Sequence, residues 1–298
     1  MASVLNTCNH NVNQKKMEAT MKRIVILLVM LAVSTSVFAG GVIKIKNLNY
    51  AYLTPESIFV TTNVNNQVAT TIAKQTYRNN TGNDLIIQYG FPLNINASVI
   101  DFKWIINGQG YKATITGEPQ DTTSTGGPGG NVDHQFLDYL GESPFLFSFN
   151  DTLKADSTLE TQITFIELLK YRSGEMLYVY PAKLPTFTGQ TINRFEIAVT
   201  LNSERTITDF NSPSNPDCNI EFGPGTGSLT YRAENISSLQ NFSAAYAVSQ
   251  EEFGVFVTGV KPPGEDGYFP CLPNLTRLHR SNRSLIRFSP TSLMFPAV

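Results

Sequence analysis

INRFEIAVTL, residues 192–201, sets apolar side chains at Ile192, Phe195, Ile197, Val199 and Leu201. From Phe195 on the alternation is strict, and a period of two puts successive side chains on opposite faces of a strand. The same pattern recurs at Ser57 to Val64, Val68 to Tyr77, Leu85 to Leu93, Val99 to Ile106, Leu159 to Phe165, Met176 to Tyr180 and Phe253 to Val260. Turn chemistry falls between these stretches, at Asn63 to Gln67, Asn79 to Asn83, Asn107-Gly108, Ser173-Gly174 and Asn211 to Asp217, where Asn, Gly and Pro supply the backbone angles a reversal needs. Short strands joined by turns rather than helices predict an all-β fold, an antiparallel β-sandwich or distorted barrel, possible as two packed β modules.

The chain of 298 residues is long enough to bury a sizeable core. Charged residues make up 15% and the net charge is -2, so no basic face is available for nucleic acid or an anionic membrane, and nucleic acid is excluded as a partner. Thr, Asn, Ile, Val, Phe and Tyr are abundant, a composition of strands and turns.

Residues 21–39 read as an export signal. Lys22-Arg23 give a positive start, Ile24 to Val33 an apolar stretch too short to span a bilayer, and Val37-Phe38-Ala39 a small-residue cleavage pattern, with cleavage after Ala39. An uncleaved anchor is the alternative. Residues 1–20 are mostly polar and precede this signal, so Met21 reads as the true start, and the upstream extension takes Cys8 and His10 with it. The chain is therefore expected in the secreted or cell-surface fraction, or in the periplasm of a Gram-negative cell, off the membrane once the signal is cut. Cys218 and Cys271 remain; they either bridge or stay separate buried thiols, and the absence of CxxC argues against zinc.

Asp121 to Asn131, DTTSTGGPGGN, has no apolar residue to anchor it and reads as a surface loop. Asn211 to Gly227 is rich in proline and glycine and could bridge two β modules. Past Pro270 the β pattern stops, and Leu275 to Val298 gathers Arg277, Arg280, Arg283 and Arg287 without strand character.

Chemistry-bearing residues are sparse. His134, in Asp133-His134-Gln135, is the histidine of the presumed folded region and reads as an exposed loop residue, because no nucleophile and orienting acid accompany it. Asp101, Glu142, Asp151, Asp156 and Glu167 are scattered over strand edges and turns. Gly223 to Gly227 lacks the Lys-Ser/Thr of a phosphate loop, and Asp151 with Asp156-Ser157 reads as a turn and strand start rather than a metal motif. Trp104 lies in an apolar strand and is expected to pack in the core. Sequons stand at Asn79, Asn96, Asn150, Asn235, Asn241, Asn274 and Asn282, glycan acceptors only in a eukaryotic secretory pathway. No catalytic, cofactor or metal residue is assigned.

The stretch from Val68 to Pro181 resembles a VIT domain, the N-terminal module of inter-alpha-trypsin inhibitor heavy chains. The residues that carry the resemblance are the threonine-rich strand Ala69 to Asn79, Tyr89-Gly90-Phe91-Pro92-Leu93, Val99 to Trp104, Phe145 to Phe149, Leu159 to Leu168, Tyr171 and Leu177 to Pro181. It continues through Asn193 to Leu201 and ends at Asp266-Gly267-Tyr268-Phe269. Between Gly117 and Asp138, where the family has a charged helical segment, this chain has its Gly/Ser/Thr loop. The expected organisation is a VIT-like sandwich over residues 43–182, a second β region over 190–270 packing on it, and an irregular tail over 271–298.

The resemblance implies a non-catalytic module for extracellular or cell-surface contacts, its partner a surface protein or polysaccharide. The family's usual next domain, of von Willebrand A type, binds a divalent metal through Asp-x-Ser-x-Ser, which does not occur here. In the frame that joins each codon's last base to the next two, Met294-Phe295 reads Val, and Leu293 to Val298 is compatible with Asp-Val-Ser-Ser-Ser. The tail is then either a frameshift product of the metal strand or a natural, unrelated end. Two rival functions follow: a secreted β-sandwich carbohydrate-active enzyme, which calls for aromatic stacking residues near an acid pair, and a truncated product without activity of its own.

Overall fold

A computed structural model describes residues 40–48, 51–115, 133–172, 175–184 and 191–249, with the backbone alone of 254–257 and 271–274. The export signal, the Asp121 to Asn131 insert, the Ser173-Gly174 turn and the arginine-rich tail lie outside the described residues.

The expected alternation is realised in a sheet of eight strands. Its order is β14 (Asn219–Phe222), β15 (Thr226–Ile236), β12 (Ile192–Asn202), β3 (Ser57–Asn65), β4 (Val68–Arg78), β9 (Thr158–Leu168), β6 (Ala97–Ile106) and β7 (Gln109–Lys112). Along β3 the side chains of Ile58, Val60, Thr62 and Val64 are buried while Phe59, Thr61 and Asn63 are exposed. β12 buries Phe195, Ile197, Val199 and Leu201 in the same way. One face of the sheet is thus apolar, and the other carries Thr, Asn and charged side chains.

Two smaller sheets cover the apolar face. One runs β2 (Ala51–Leu53), β1 (Val42–Ile45), β5 (Ile87–Phe91), β8 (Phe145–Ser148); the other runs β10 (Tyr171–Arg172), β11 (Glu175–Tyr180), β16 (Phe242–Val248), β13 (Ile207–Asn211). The first stacks Tyr89 on Phe102 at 5.2 Å between ring centroids, the second sets Tyr180 6.3 Å from Phe195, and the two meet where Phe91 lies 6.3 Å from Tyr180. Aromatic pairs at these separations add specific attraction to the burial of their area. The fold is therefore the predicted all-β sandwich, one wide layer under a divided one.

Three features depart from the sequence reading. First, β12 pairs with β3 in parallel, from Arg194 opposite Ser57 to Asn202 opposite Asn65, so the sheets are not purely antiparallel. The two expected β regions share one sheet across the boundary between them. Asn211 to Gly227 does not bridge modules either: it holds β14 and the β14–β15 hairpin turn, in which Gly223 N–H donates to Thr226 O at 2.8 Å.

Second, a helix, α1 (His134–Leu140), follows the insert where a loop was read. Asp133 is its N-cap and accepts from Phe136 N–H at 3.1 Å, satisfying a donor the first turn leaves unpaired. The helix lays Phe136, Tyr139 and Leu140 over Val42 and Tyr52 on the outer side of the first small sheet. Gly90 permits this approach, since a Cβ there would stand 2.7 Å from Leu140 Cδ1 and from Phe136 Cζ.

Third, β18 (Cys271–Asn274) pairs antiparallel with β17 (Gly254–Val257), so the tail is not irregular from residue 271. Four residues are too few to show a period, and Pro273 conceals the strand because proline cannot donate to a ladder.

Candidate interaction edge and interior polar seam

The large sheet ends at β7. Asn107 and Gly108, at φ 51 and 79, form the two-residue reversal between β6 and β7; positive φ at both positions is what a tight hairpin with the natural strand twist requires. All four residues of β7 are exposed, and among the described residues β6 is the only strand that pairs with it. Its outer edge therefore offers unpaired backbone groups, as sheet edges do.

Aromatic rings crowd behind this edge. Trp104 stacks on Tyr111 across the hairpin at 5.4 Å and 14°, and lies 4.6 Å from Phe147 and 5.6 Å from Phe149. Trp104 is half-buried and Tyr111 is 39% exposed, so the tryptophan packs against the core as read, but from its rim. The reason is register: its cross-strand neighbour is on β7, with no further strand beyond it among the described residues. The Tyr111 hydroxyl bonds to Asp151, which raises its pKa. On the opposite face Asp101 takes Lys103 at 2.9 Å and Lys112 at 3.2 Å. Partial burial pushes its pKa up, and the two ammonium groups outweigh that and lower it.

The second polar feature is interior. Gln75 and Glu167 occupy buried phases of β4 and β9. Tyr77 and Tyr89 both donate to Gln75 Oε1, at 3.1 and 2.7 Å. Tyr178 of β11 shares hydroxyl bonds with Thr62 at 2.8 Å and Thr71 at 2.9 Å, tying the second small sheet to the large one. Burial holds the hydroxyls of Tyr77, Tyr89, Tyr139, Tyr178 and Tyr180 well above the ordinary tyrosine range. Asn94 Nδ2–H donates to Glu167 Oε2 at 2.8 Å, and Glu167 Oε1 is buried with no hydrogen-bond partner among the described residues. Burial pushes this carboxyl up to about 7, against the smaller lowering effect of Asn94.

The remaining sequence candidates do not converge. His134 is exposed, but as the first residue of α1. Glu142 and Asp151 are exposed, and Asp156 occupies a turn at φ 59 just before β9. No group of three His, Cys, Asp or Glu side chains among the described residues is placed to hold a metal ion. Cys218 carries a free thiol, its pKa raised by burial, and the side chain of Cys271 lies outside the described residues. Of the sequons, Asn79 is fully buried, its Nδ2 donating to Asn83 O, Leu153 O and Lys154 O; Asn96, Asn150 and Asn235 are exposed. Alternation carries the signal that reveals Glu167: the series Leu159, Thr161, Ile163, Phe165 puts residue 167 in the buried register.

Residues 55–123 match the family model described as Vault protein inter-alpha-trypsin domain, VIT. The chain carries a VIT domain. The VIT match begins at Pro55, ahead of the residues that carried the resemblance, and takes in β3 to β7, including the exposed edge and Trp104. It covers less than a quarter of the chain. No curated protein matches. Among solved structures, a candidate nutrient-binding protein of Legionella pneumophila aligns at 13% identity and TM-score 0.45, over 70% of this chain and 71% of its own. The M1 zinc metallopeptidase of Deinococcus radiodurans aligns at 9% identity and TM-score 0.39, over 78% of this chain and 50% of its own. Both likenesses are loose. Among the described residues no helix is long and apolar enough to cross a membrane.

Proposed function

We propose that this chain is an exported, non-catalytic interaction or adhesion module of VIT type, its partner an extracellular or surface protein or polysaccharide. The observation that carries the reading is the family match at residues 55–123. The contact surface lies within that match: β7 with its unpaired edge, and the Trp104–Tyr111 stack beside it. Edges take up extended chains through backbone bonds, and half-exposed Trp and Tyr supply large area at low entropy cost.

The rival glycoside-cleaving reading calls for aromatics beside two cooperating carboxylates. The aromatics are present and Asp151 adjoins Tyr111, while Asp101 is engaged by Lys103 and Lys112 on the other face. This arrangement favours holding a partner over cutting one. The test is to measure purified chain from Gly40 onward against immobilised cell-surface polysaccharides and extracellular proteins, with a reducing-sugar assay in parallel. Saturable binding that Tyr111→Ala weakens about tenfold, as loss of an interface aromatic does, with no sugar released, is expected. Release of reducing sugar would overturn the non-catalytic reading, and binding indifferent to Tyr111 would remove β7 from the site.

A further inference from the structure

The buried face of β9 holds an ionisable side chain in a position its alternation reserves for an apolar one. In the sheet, the neighbours of Glu167 are Ala69 of β4 and Ala97 of β6, neither of which can solvate a carboxylate. Among the described residues, the groups that face it from the covering elements are Asn94, from the segment between β5 and β6, and Tyr178 of β11. Neither is a cation, and the Tyr178 hydroxyl is engaged by Thr62 and Thr71. The same Asn94 amide lies 3.4 Å from Val179 O of β11, so one side chain links the carboxyl to the covering sheet.

We infer that the contact between β9 and β11 is a proton-operated latch, closed when Glu167 is protonated and loosened when it ionises. An ionised carboxylate left without a countercharge in an apolar interior is costly, and the molecule relieves the cost by admitting water. The route that breaks fewest hydrogen bonds is through the seam, because β9 is laddered to β4 and β6 while β11 is laddered to β10 and β16 and meets β9 through side chains alone. The buried carboxyl's affinity for its proton, displaced toward neutrality, sets the upper end of the latch's working range near pH 7.

The test is hydrogen–deuterium exchange of peptides spanning residues 175–184, read from pH 4 to pH 9 and corrected for the intrinsic rate. In the wild type, protection should be full below about pH 4.5, fall by up to about tenfold per pH unit as pH rises toward 7, the slope of one linked proton, and level off above it. Glu167→Gln should keep full protection throughout. Asn94→Ala, which removes a bond that favours the ionised form, should leave the onset of the fall in place and carry its end to higher pH, whereas a purely structural role for Asn94 would lower protection equally at every pH. A wild-type profile without the fall, a Glu167→Gln profile that retains it, or an Asn94→Ala profile lowered uniformly would each overturn the latch. None of these outcomes bears on β7 or on partner binding.

Discussion

Glu167 also governs how stability depends on pH. Its carboxyl is raised from an ordinary 4.5 to about 7 by burial, so the folded state binds the proton more tightly than the unfolded state. The resulting stabilisation is full below about pH 4.5 and is lost as pH rises through 7. A displacement of this size corresponds to about 3 kcal/mol. Urea denaturation should therefore show Glu167→Gln near wild type at pH 5 and more stable by up to that amount at pH 8. Equal stability of the two proteins at pH 8 would place the carboxyl in contact with water. Sequence alone ranked this residue among scattered carboxylates. Its register gave the position, but the lack of a facing cation depends on which strand covers β9, and no local pattern encodes that.

Strands that bury one face and wet the other, such as β3, β4, β9 and β12, were legible from alternation. β16 was not, because Ala245 and Ala247 make its second face apolar as well, nor was β15, whose inward positions include Gly227 and Ala233. β1 and β2 are only 4 and 3 residues long, too short to display a period. α1 escaped for a similar reason: two turns anchored by a cap resemble a loop. That cap carries much of the element, since Asp133 accepts from the Tyr52 hydroxyl at 2.8 Å and pairs with Lys44 at 3.0 Å as well as capping the helix. Asp133→Ala should cost about 2 kcal/mol, read as a lower thermal midpoint, with exchange quickening first in residues 134–141. A change below about 0.5 kcal/mol would show that packing of Phe136 and Leu140 alone holds the helix.

For the whole molecule, the parallel β3–β12 pair makes one cooperative unit of the regions on either side of residues 185–190. Calorimetry should give a single unfolding transition whose calorimetric and van't Hoff enthalpies agree. Two resolved transitions would mean that the regions melt independently despite the shared sheet. The rim position of Trp104 belongs to this scale too, for it depends on which strand is last in the sheet.

The pairing of Ser57 with Arg194 also imposes an order of events on a chain synthesised from its N-terminus. β3 emerges early, yet one of its two neighbours is made and delivered only after every strand from β4 to β11 has followed. Until then its far side is an open template, and the loop to be closed is long, which slows the encounter. Correct assembly therefore depends on keeping β3 from other partners until β12 arrives.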